Sequence, residues 1–286
     1  MRSPRIAPYF FLAPAAFSFL LLVILPIILS FRLSFFENDG LGYSEFIGLD
    51  NYFEMLDDDI VYRALFNNFL WLIFFLLAPV FGLGLALFLN QKIRGIKVVK
   101  SLFFFPFVIS AVVVGMVFSW FYDPNYGLMI KLFGAFLPEN FNILGNEYLA
   151  SFGIIFAGLW PQTAYCLIIY LAGLTAIDSE QIEAARMDGA KGTGMLFNII
   201  LPQLSAATFI ALVVTIIGAL RSFDLIAIMT DGGPYDSSQV LSLYMYQQAV
   251  FSQRVGYGSA IAVLLFLIMS VFIFFFIRHM IKQERG

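Results

Sequence analysis

The sequence of 286 residues contains a single cysteine, Cys166, and a single histidine, His279. One cysteine cannot form an intramolecular disulfide, and a Cys-based zinc site needs several thiolates. Because His279 stands in a basic tail, we interpret it as a solvated residue at a surface. The sequence also offers no inward carboxylate pair, so neither a Ser-His-Asp site nor a two-carboxylate site can be assembled. We therefore expect neither a catalytic residue nor a metal site in this chain.

Charged residues are scarce as well. They make up 12% of the chain, whereas apolar residues make up 61%. A soluble domain usually carries about 25% charged and about 45–50% apolar residues. So few charges cannot cover a water-exposed surface, and we infer that lipid surrounds much of the chain.

Long uncharged runs divide the sequence into membrane spans, each of which needs about 20 apolar residues. We place six spans at about 6–31, 69–89, 101–122, 148–177, 204–229 and 258–277. Lipid cannot satisfy exposed backbone groups, so each span must be helical. The prediction is an all-α, polytopic membrane protein with one transmembrane domain over 1–286. The first run is too long for a signal-peptide core, and we expect it to remain as an uncleaved span.

The positions of the basic residues orient these spans. Eleven of the 16 Lys and Arg residues fall at the N-terminus, in loop 90–100, in loop 175–203 and in the C-terminal tail. Cytoplasmic segments are enriched in Lys and Arg. The distribution therefore predicts that both termini lie in the cytoplasm.

The loop that precedes the second span is acidic, with eight carboxylates between residues 37 and 59. We interpret it as a solvated outer loop in which Asp50 caps a short helix holding Tyr52. The run 57–59 would then stand at the N-terminus of the next helix, where negative charge is favourable. A docking surface for a partner protein is compatible with this interpretation.

The cytoplasmic loop 178–202 has the signals of an ordered helix. Asp178 is a good N-cap, Gln181 follows three residues later, and Gly189 is a suitable C-terminal stop. The predicted helix has about ten residues, and Ile182, Ala185 and Arg186 share one of its faces. Pattern alone leaves two interpretations open: a helix that transmits force from a soluble partner, and an interfacial helix that rests on lipid.

A family resemblance favours the first interpretation. It is carried by the segment Glu183, Ala184, Ala185, Arg186, Met187, Asp188, Gly189 and Ala190, with Pro202 at the expected spacing. This segment resembles the coupling loop of permease subunits in binding-protein-dependent ABC importers. The resemblance implies the type I ABC importer permease fold. It also implies that Glu183, Ala184, Ala185, Arg186, Asp188 and Gly189 contact an ATPase subunit.

Further segments resemble the sugar and glycerol-3-phosphate branch of that family, which includes maltose permeases. They are Phe-Ile-Gly-Leu-Asp-Asn-Tyr at 46–52, Met-Thr-Asp-Gly-Gly-Pro at 229–234 and Gly-Tyr-Gly-Ser-Ala at 256–260. The resemblance implies a carbohydrate importer in the bacterial inner membrane. In it, Asp50, Asn51, Tyr52, Gly232, Gly233 and Pro234 are candidates for docking a solute-binding protein.

The same resemblance implies the remaining partners. They are a second, different permease and two ATPase subunits, which bind ATP and Mg²⁺; no cofactor in this chain and no nucleic acid are implied. The chain has no phosphate-binding G-x-x-x-x-G-K-[ST] sequence, so we do not expect it to hydrolyse ATP. An amino-acid or peptide importer is an alternative. A secondary transporter would need ion-coupling charges in several spans.

Only the fifth predicted span carries charges, at Arg221 and Asp224. Charges within a span usually face a cavity or a partner. One interpretation is that the two side chains pair on one helix face and line the solute path. The other is that the span ends near Leu220 and both charges lie at the outer interface. Polar and aromatic side chains in the fourth span are further candidates for the path: Trp160, Gln162, Thr163 and Tyr165.

Overall fold

The computed structural model describes residues 7–91 and 94–284, which are mostly helical. The helices are α1 (Ala7–Phe19), α2 (Leu25–Leu33), α3 (Asp50–Asp57), α4 (Asp59–Phe75), α5 (Leu77–Leu89), α6 (Ile96–Val108), α7 (Ala111–Phe121), α8 (Leu128–Phe133), α9 (Ala150–Ala176), α10 (Ser179–Met187), α11 (Gly192–Met195), α12 (Leu201–Gln203), α13 (Ser205–Leu220), α14 (Asp224–Met229), α15 (Leu241–Tyr246) and α16 (Val255–Glu284). Three π-helical segments, Leu20–Ile24, Leu196–Ile200 and Gln247–Phe251, and one 3-10 turn, Gly134–Phe136, complete the helical elements of the described residues.

Within the described residues, four continuous helices are long and apolar enough to cross a membrane: Phe11–Leu33, Asp59–Leu89, Ala150–Ala176 and Val255–Phe276. Two further spans are bent pairs, in which α6 meets α7 at 98° and α11–α12 meets α13 at 73°. If each pair crosses once, the described residues contain six spans, in the six regions that the sequence predicts. The all-α, polytopic fold is thereby confirmed.

The boundaries of two predicted spans are wrong. The second span begins at Asp59 rather than near residue 69, because the Asp58 carboxylate caps it by accepting a hydrogen bond from the Ile60 amide at 2.9 Å. The fifth does not continue to residue 229. Helix α13 ends at Leu220, and the backbone of Phe223 leaves the helical region (φ −141°, ψ −61°) before α14 begins.

The acidic outer loop contains a hairpin that the sequence analysis missed. Strand β1 (Phe36–Asn38) pairs antiparallel with β2 (Ser44–Phe46), and Phe36 lies opposite Phe46. The carboxylate of Asp39 closes the turn by accepting backbone hydrogen bonds from residues 41, 42 and 43, which lower its pKa. The predicted cap at Asp50 is wrong, since Leu49 holds the N-cap position of α3 and Asp50 is its first residue.

The chain divides into two compact units, and the single domain stays a prediction. In the first unit, residues 7–61 and 244–270, the carboxylate of Asp58 accepts hydrogen bonds from the phenols of Tyr244 and Tyr257 at 2.6 and 2.5 Å. Burial and this hydrogen bond raise the pKa of Tyr244. Arg254 lies over the ring of Tyr257 and pairs with Glu54 at 2.5 Å. These contacts join the start of α4 to α15 and α16.

In the second unit, residues 62–243 and 271–284, helix α9 packs against α5, α6 and α13. It approaches α5 closely at Gly82, where an added Cβ would lie 2.6 Å from the Cβ of Cys166 and 2.9 Å from the backbone nitrogen of Leu167. A Cβ at Gly84 would meet nothing within 4 Å. Close helix packing through small residues is typical of membrane helices. Of the two glycines Gly82 and Gly84, only Gly82 allows α5 to pack closely against α9.

Substituting the two glycines should therefore give different results. We expect Gly82→Ala to destabilise the protein by about 1–3 kcal/mol, because overpacking forces backbone or side-chain shifts. Gly84→Ala is the matched control, and it should leave the melting temperature in detergent unchanged or raise it slightly, since alanine favours the helix. Equal melting temperatures for the two variants would contradict the packing described for α5 and α9.

Candidate functional site

Helix α10 has the predicted place and termini. The Asp178 carboxylate caps it by accepting a hydrogen bond from the Glu180 amide at 2.9 Å. At the other end Gly189 adopts a left-handed conformation (φ +88°), its amide donates to the Arg186 carbonyl, and the Ala190 amide donates to the Ala185 carbonyl. This is a Schellman stop, which glycine favours because it has no Cβ. The motif therefore forms a short helix with well-defined termini.

The residues of the motif do not all face outward. Ala185 is buried, with 7% of its surface exposed, and contributes to the packing of the chain itself. Glu183, Ala184, Arg186 and Asp188 are exposed. Met187 is 88% exposed, an unusual state for a large apolar side chain. The predicted contact of an ATPase subunit with Glu183, Ala184, Ala185, Arg186, Asp188 and Gly189 stays a prediction.

A cavity of about 460 Å³ opens within the second unit. It is lined by Trp71, Phe75, Phe107, Ala111, Gly158, Pro161, Gln162, Tyr165, Val214, Gly218, Arg221, Ser222, Phe223, Asp224 and Leu225. Four of the predicted path residues are thus brought together from α9 and from the break between α13 and α14. The cavity combines aromatic walls with a few polar groups, a composition common in small-molecule sites.

Arg221 and Asp224 line this cavity without forming an ion pair or a hydrogen bond with each other in the described structure. The predicted pairing is wrong because the two residues do not lie on one helix: Arg221 is the C-cap of α13, and Asp224 is the first residue of α14. Both side chains are exposed. The two interpretations of the sequence are both partly right, since the span ends at Leu220 and the charges nevertheless face a cavity.

Polar groups on α9 and α13 support the wall of this cavity. The Gln162 side-chain amide donates to the Thr215 hydroxyl at 2.9 Å, and the Cys166 thiol lies 3.5 Å from the same oxygen. The ring of Tyr165 packs against Phe107 with centroids 5.1 Å apart. These contacts hold Gln162 and Tyr165 in place at the cavity wall.

Trp71 is a cavity residue that the sequence analysis missed. Only 1% of its surface is exposed, and its indole Nε1 has no hydrogen-bond partner in the described part of the chain. A buried donor without a partner carries a desolvation cost that a hydrogen-bonding ligand can relieve. The sequence shows only that a tryptophan stands in the second span, three residues after Asn68. That position does not reveal whether the indole faces a cavity.

Trp160 and Thr163 lie elsewhere. They line a separate, almost wholly apolar cleft of about 480 Å³ together with Phe81, Val117, Phe118, Phe121, Phe156 and Leu159. The predicted path set on α9 is therefore divided between two faces of the helix. Gln162 and Tyr165 face the polar cavity, whereas Trp160 packs against Phe118.

The candidate docking residues of the outer loops mostly have structural contacts. Gly232 is buried and left-handed (φ +89°), and an added Cβ would lie 2.8 Å from the Gln239 side chain. In the first unit Asn51 is buried and donates to the carbonyls of Ser34 and Phe36, while the Tyr52 hydroxyl lies 2.7 Å from that of Ser34. Three exposed or half-buried members of the set remain: Asp50, Gly233 and Pro234.

With this geometry established, the chain can be compared with known proteins. Residues 61–285 match the family model described as the inner membrane component of binding-protein-dependent transport systems. This chain belongs to that family. The match covers most of the chain, from α4 to the C-terminal helix, and includes the coupling motif and the cavity. The predicted membership is confirmed.

Two relatives cover nearly the whole permease. It is 36% identical to the probable ABC transporter permease YurN of Bacillus subtilis over 92% of each chain. It is 32% identical to the sulfoquinovosyl glycerol transport permease SmoG of Agrobacterium fabrum, over 92% of this chain and 86% of that protein. The permease is thus a multi-pass membrane protein of an ABC transport system, a class of subunit that is not typically enzymatic.

A solved structure confirms the fold. The permease superposes with a TM-score of 0.83 on a chain of the bacterial ABC transporter that imports the acidic polysaccharide alginate. The match covers 97% of this chain and 95% of the other, at 22% sequence identity. The type I importer permease fold that the resemblance implies is therefore the fold observed.

Proposed function

We propose that the permease forms half of the translocation path for a sugar or sugar-like solute. The candidates are an oligosaccharide, a glycoside and a glycerol derivative. The observation that carries this proposal is the cavity in which Trp71, Tyr165, Arg221 and Asp224 meet. The name of the relative SmoG, which transports sulfoquinovosyl glycerol, supports the same solute class.

The chemistry of the cavity suits a polyhydroxylated solute. The Arg221 guanidinium is a donor only, and the Asp224 carboxylate is an acceptor only. A hydroxyl group both donates and accepts, so one sugar can satisfy both side chains. The apolar faces of sugar rings can pack on Phe75 or Tyr165 at the wall.

The permease would work by alternating access with partner subunits. In this proposal two ATPase subunits bind ATP and Mg²⁺, close, and move α10. A second, different permease completes the path, and a solute-binding protein docks outside. The permease itself holds no cofactor, contacts no nucleic acid and hydrolyses no ATP. It lies in the bacterial inner membrane with both termini in the cytoplasm. ATP bound at the remote ATPase subunits shifts the path between its inward-open and outward-open states.

Uptake by the complete importer in lipid vesicles tests this function. We expect ATP-dependent accumulation of a radiolabelled sugar or glycoside that requires the binding protein and persists when ionophores remove ion gradients. An amino acid or peptide should neither accumulate nor compete with the labelled sugar.

Each alternative predicts a different outcome. Uptake of amino acids or peptides in place of sugars would favour the amino-acid importer. Uptake that proceeds without ATP and stops when ion gradients are removed would favour a secondary transporter. Either result would contradict the proposed function.

A further inference from the structure

The loop between α14 and α15 holds a tyrosine in an unfavourable backbone conformation. Tyr235 has a left-handed φ of +50°, and two aspartates of the same loop, Asp231 and Asp236, have φ values of +49° and +58°. Non-glycine residues seldom adopt this region, and for a bulky side chain it is a true outlier. Such strain persists only where the surrounding structure imposes it.

One exposed side chain, Arg63, and two buried ones, Asn67 and Ser151, impose it here. The Arg63 guanidinium donates to the Tyr235 carbonyl at 2.7 Å. The Asn67 side-chain amide donates to the carbonyls of Ser237 and Gln239, both at 2.8 Å, and the Ser151 hydroxyl lies 3.1 Å from the Ser237 carbonyl. Side chains of helices α4 and α9 thus hold the loop by hydrogen bonds to its backbone. Its conformation is set before any partner arrives.

All of these bonds go to the backbone, whereas the side chain of Tyr235 is left in solvent. It is 81% exposed, and its phenol has no hydrogen-bond partner within residues 7–91 and 94–284. In the isolated chain, the exposed side chain of Tyr235 therefore makes no packing contacts that would offset the backbone strain. Rigid, amphipathic tyrosines with few rotatable bonds are typical anchors of protein interfaces, and a pre-set conformation lowers the ordering cost of binding.

We propose that Tyr235 is a contact residue for the solute-binding protein. This inference rests on the proposed function, and it moves the docking contact from the Gly-Gly-Pro segment, whose first glycine is buried, to the residue that follows it. The basic-residue distribution predicts that this loop lies outside the cell. A protein partner fits better than lipid, because Asp231 and Asp236 put negative charge on the same loop, which phosphate head groups would repel.

Asparagine at this position tests the contact without disturbing the loop. Asn tolerates the left-handed region, so Tyr235→Asn removes the ring while keeping the backbone. Tyr235→Gly, which suits a positive φ even better, is a second variant with the same purpose. In the reconstituted importer we expect both to raise the half-saturating concentration of solute-loaded binding protein for ATPase stimulation by about 10- to 30-fold. The basal ATPase rate and the melting temperature should not fall.

The matched control is Tyr126→Asn, which removes another exposed tyrosine (72%) from the loop between α7 and α8. It should leave the half-saturating concentration unchanged. An unchanged value for Tyr235→Asn and Tyr235→Gly, or an equal rise for Tyr126→Asn, would overturn the inference. A lower stability of the Tyr235 variants in the membrane, with an unchanged half-saturating concentration, would also overturn it, because that result would identify Tyr235 as a lipid anchor. A wild-type importer that no binding protein stimulates would contradict the proposed function itself.

Discussion

Replacing Glu183 with lysine is expected to uncouple ATP hydrolysis from uptake. Glu183 is exposed on a helix whose two ends are firmly set, by Asp178 at the start and by Gly189 at the end. We propose that its carboxylate meets a cation of the ATPase subunit, in which case the lysine places like charges together at a cost of several kcal/mol. Each 1.4 kcal/mol is a factor of ten. Uptake should fall by about 100-fold, while ATP hydrolysis continues at a basal rate that solute-loaded binding protein no longer stimulates.

Glu180→Lys is the matched control for this variant. It makes the same charge change on the same helix, one turn earlier, at another exposed position. Only Glu180 lies in the first turn of α10, where its loss costs about 0.3–1 kcal/mol of interaction with the helix dipole. A larger loss of uptake from Glu183→Lys than from Glu180→Lys therefore reports the contact and not the stability of α10. Equal uptake by the two variants, or normal uptake by Glu183→Lys, would contradict the coupling assignment.

The sequence predicts helix α10 well because its determinants are local. The Asp178 carboxylate accepts a hydrogen bond from an amide two residues away, and Gly189 adopts a positive φ. Both effects act within one or two turns of the helix. The six membrane regions are also local, since length and apolar composition decide them. The helix pattern alone does not identify an ATP-driven importer, and the family resemblance of residues 183–190 is what predicts it.

The cavity depends on contacts that a local pattern does not contain. Of the two interpretations that the sequence left open, one placed Arg221 and Asp224 on one helix, because no residue type decides whether the helix breaks at Phe223. It assigned Trp160 and Gln162 to one path, although two residues along a helix point to different faces. Trp71 was missed because the cost of its unpaired indole nitrogen depends on tertiary neighbours.

The second large effect is expected at Arg221. This guanidinium faces the cavity without an acidic partner among the described residues, so its hydrogen-bonding capacity is available to the solute. A hydrogen bond to a charged group is worth about 1.5–3 kcal/mol, which corresponds to about 10- to 100-fold. Arg221→Ala should lower the maximal rate of ATP-dependent uptake by that factor. The half-saturating concentration of solute should change little, because the binding protein sets it before the solute reaches the cavity.

The maximal rate and the half-saturating concentration therefore report two different steps, the docking of the binding protein and the later passage of the solute through the cavity. Tyr235→Asn acts on docking and should change the half-saturating concentration of binding protein, whereas Arg221→Ala acts after docking and should change the maximal rate. Lys131→Ala, which removes an exposed charge from α8 outside the cavity, is the matched control and should change neither. If Arg221→Ala also left uptake unchanged, the charge would serve only to end α13 at the membrane interface. The solute would then have to be recognised by the uncharged part of the wall, to which Gln162 contributes a side-chain amide.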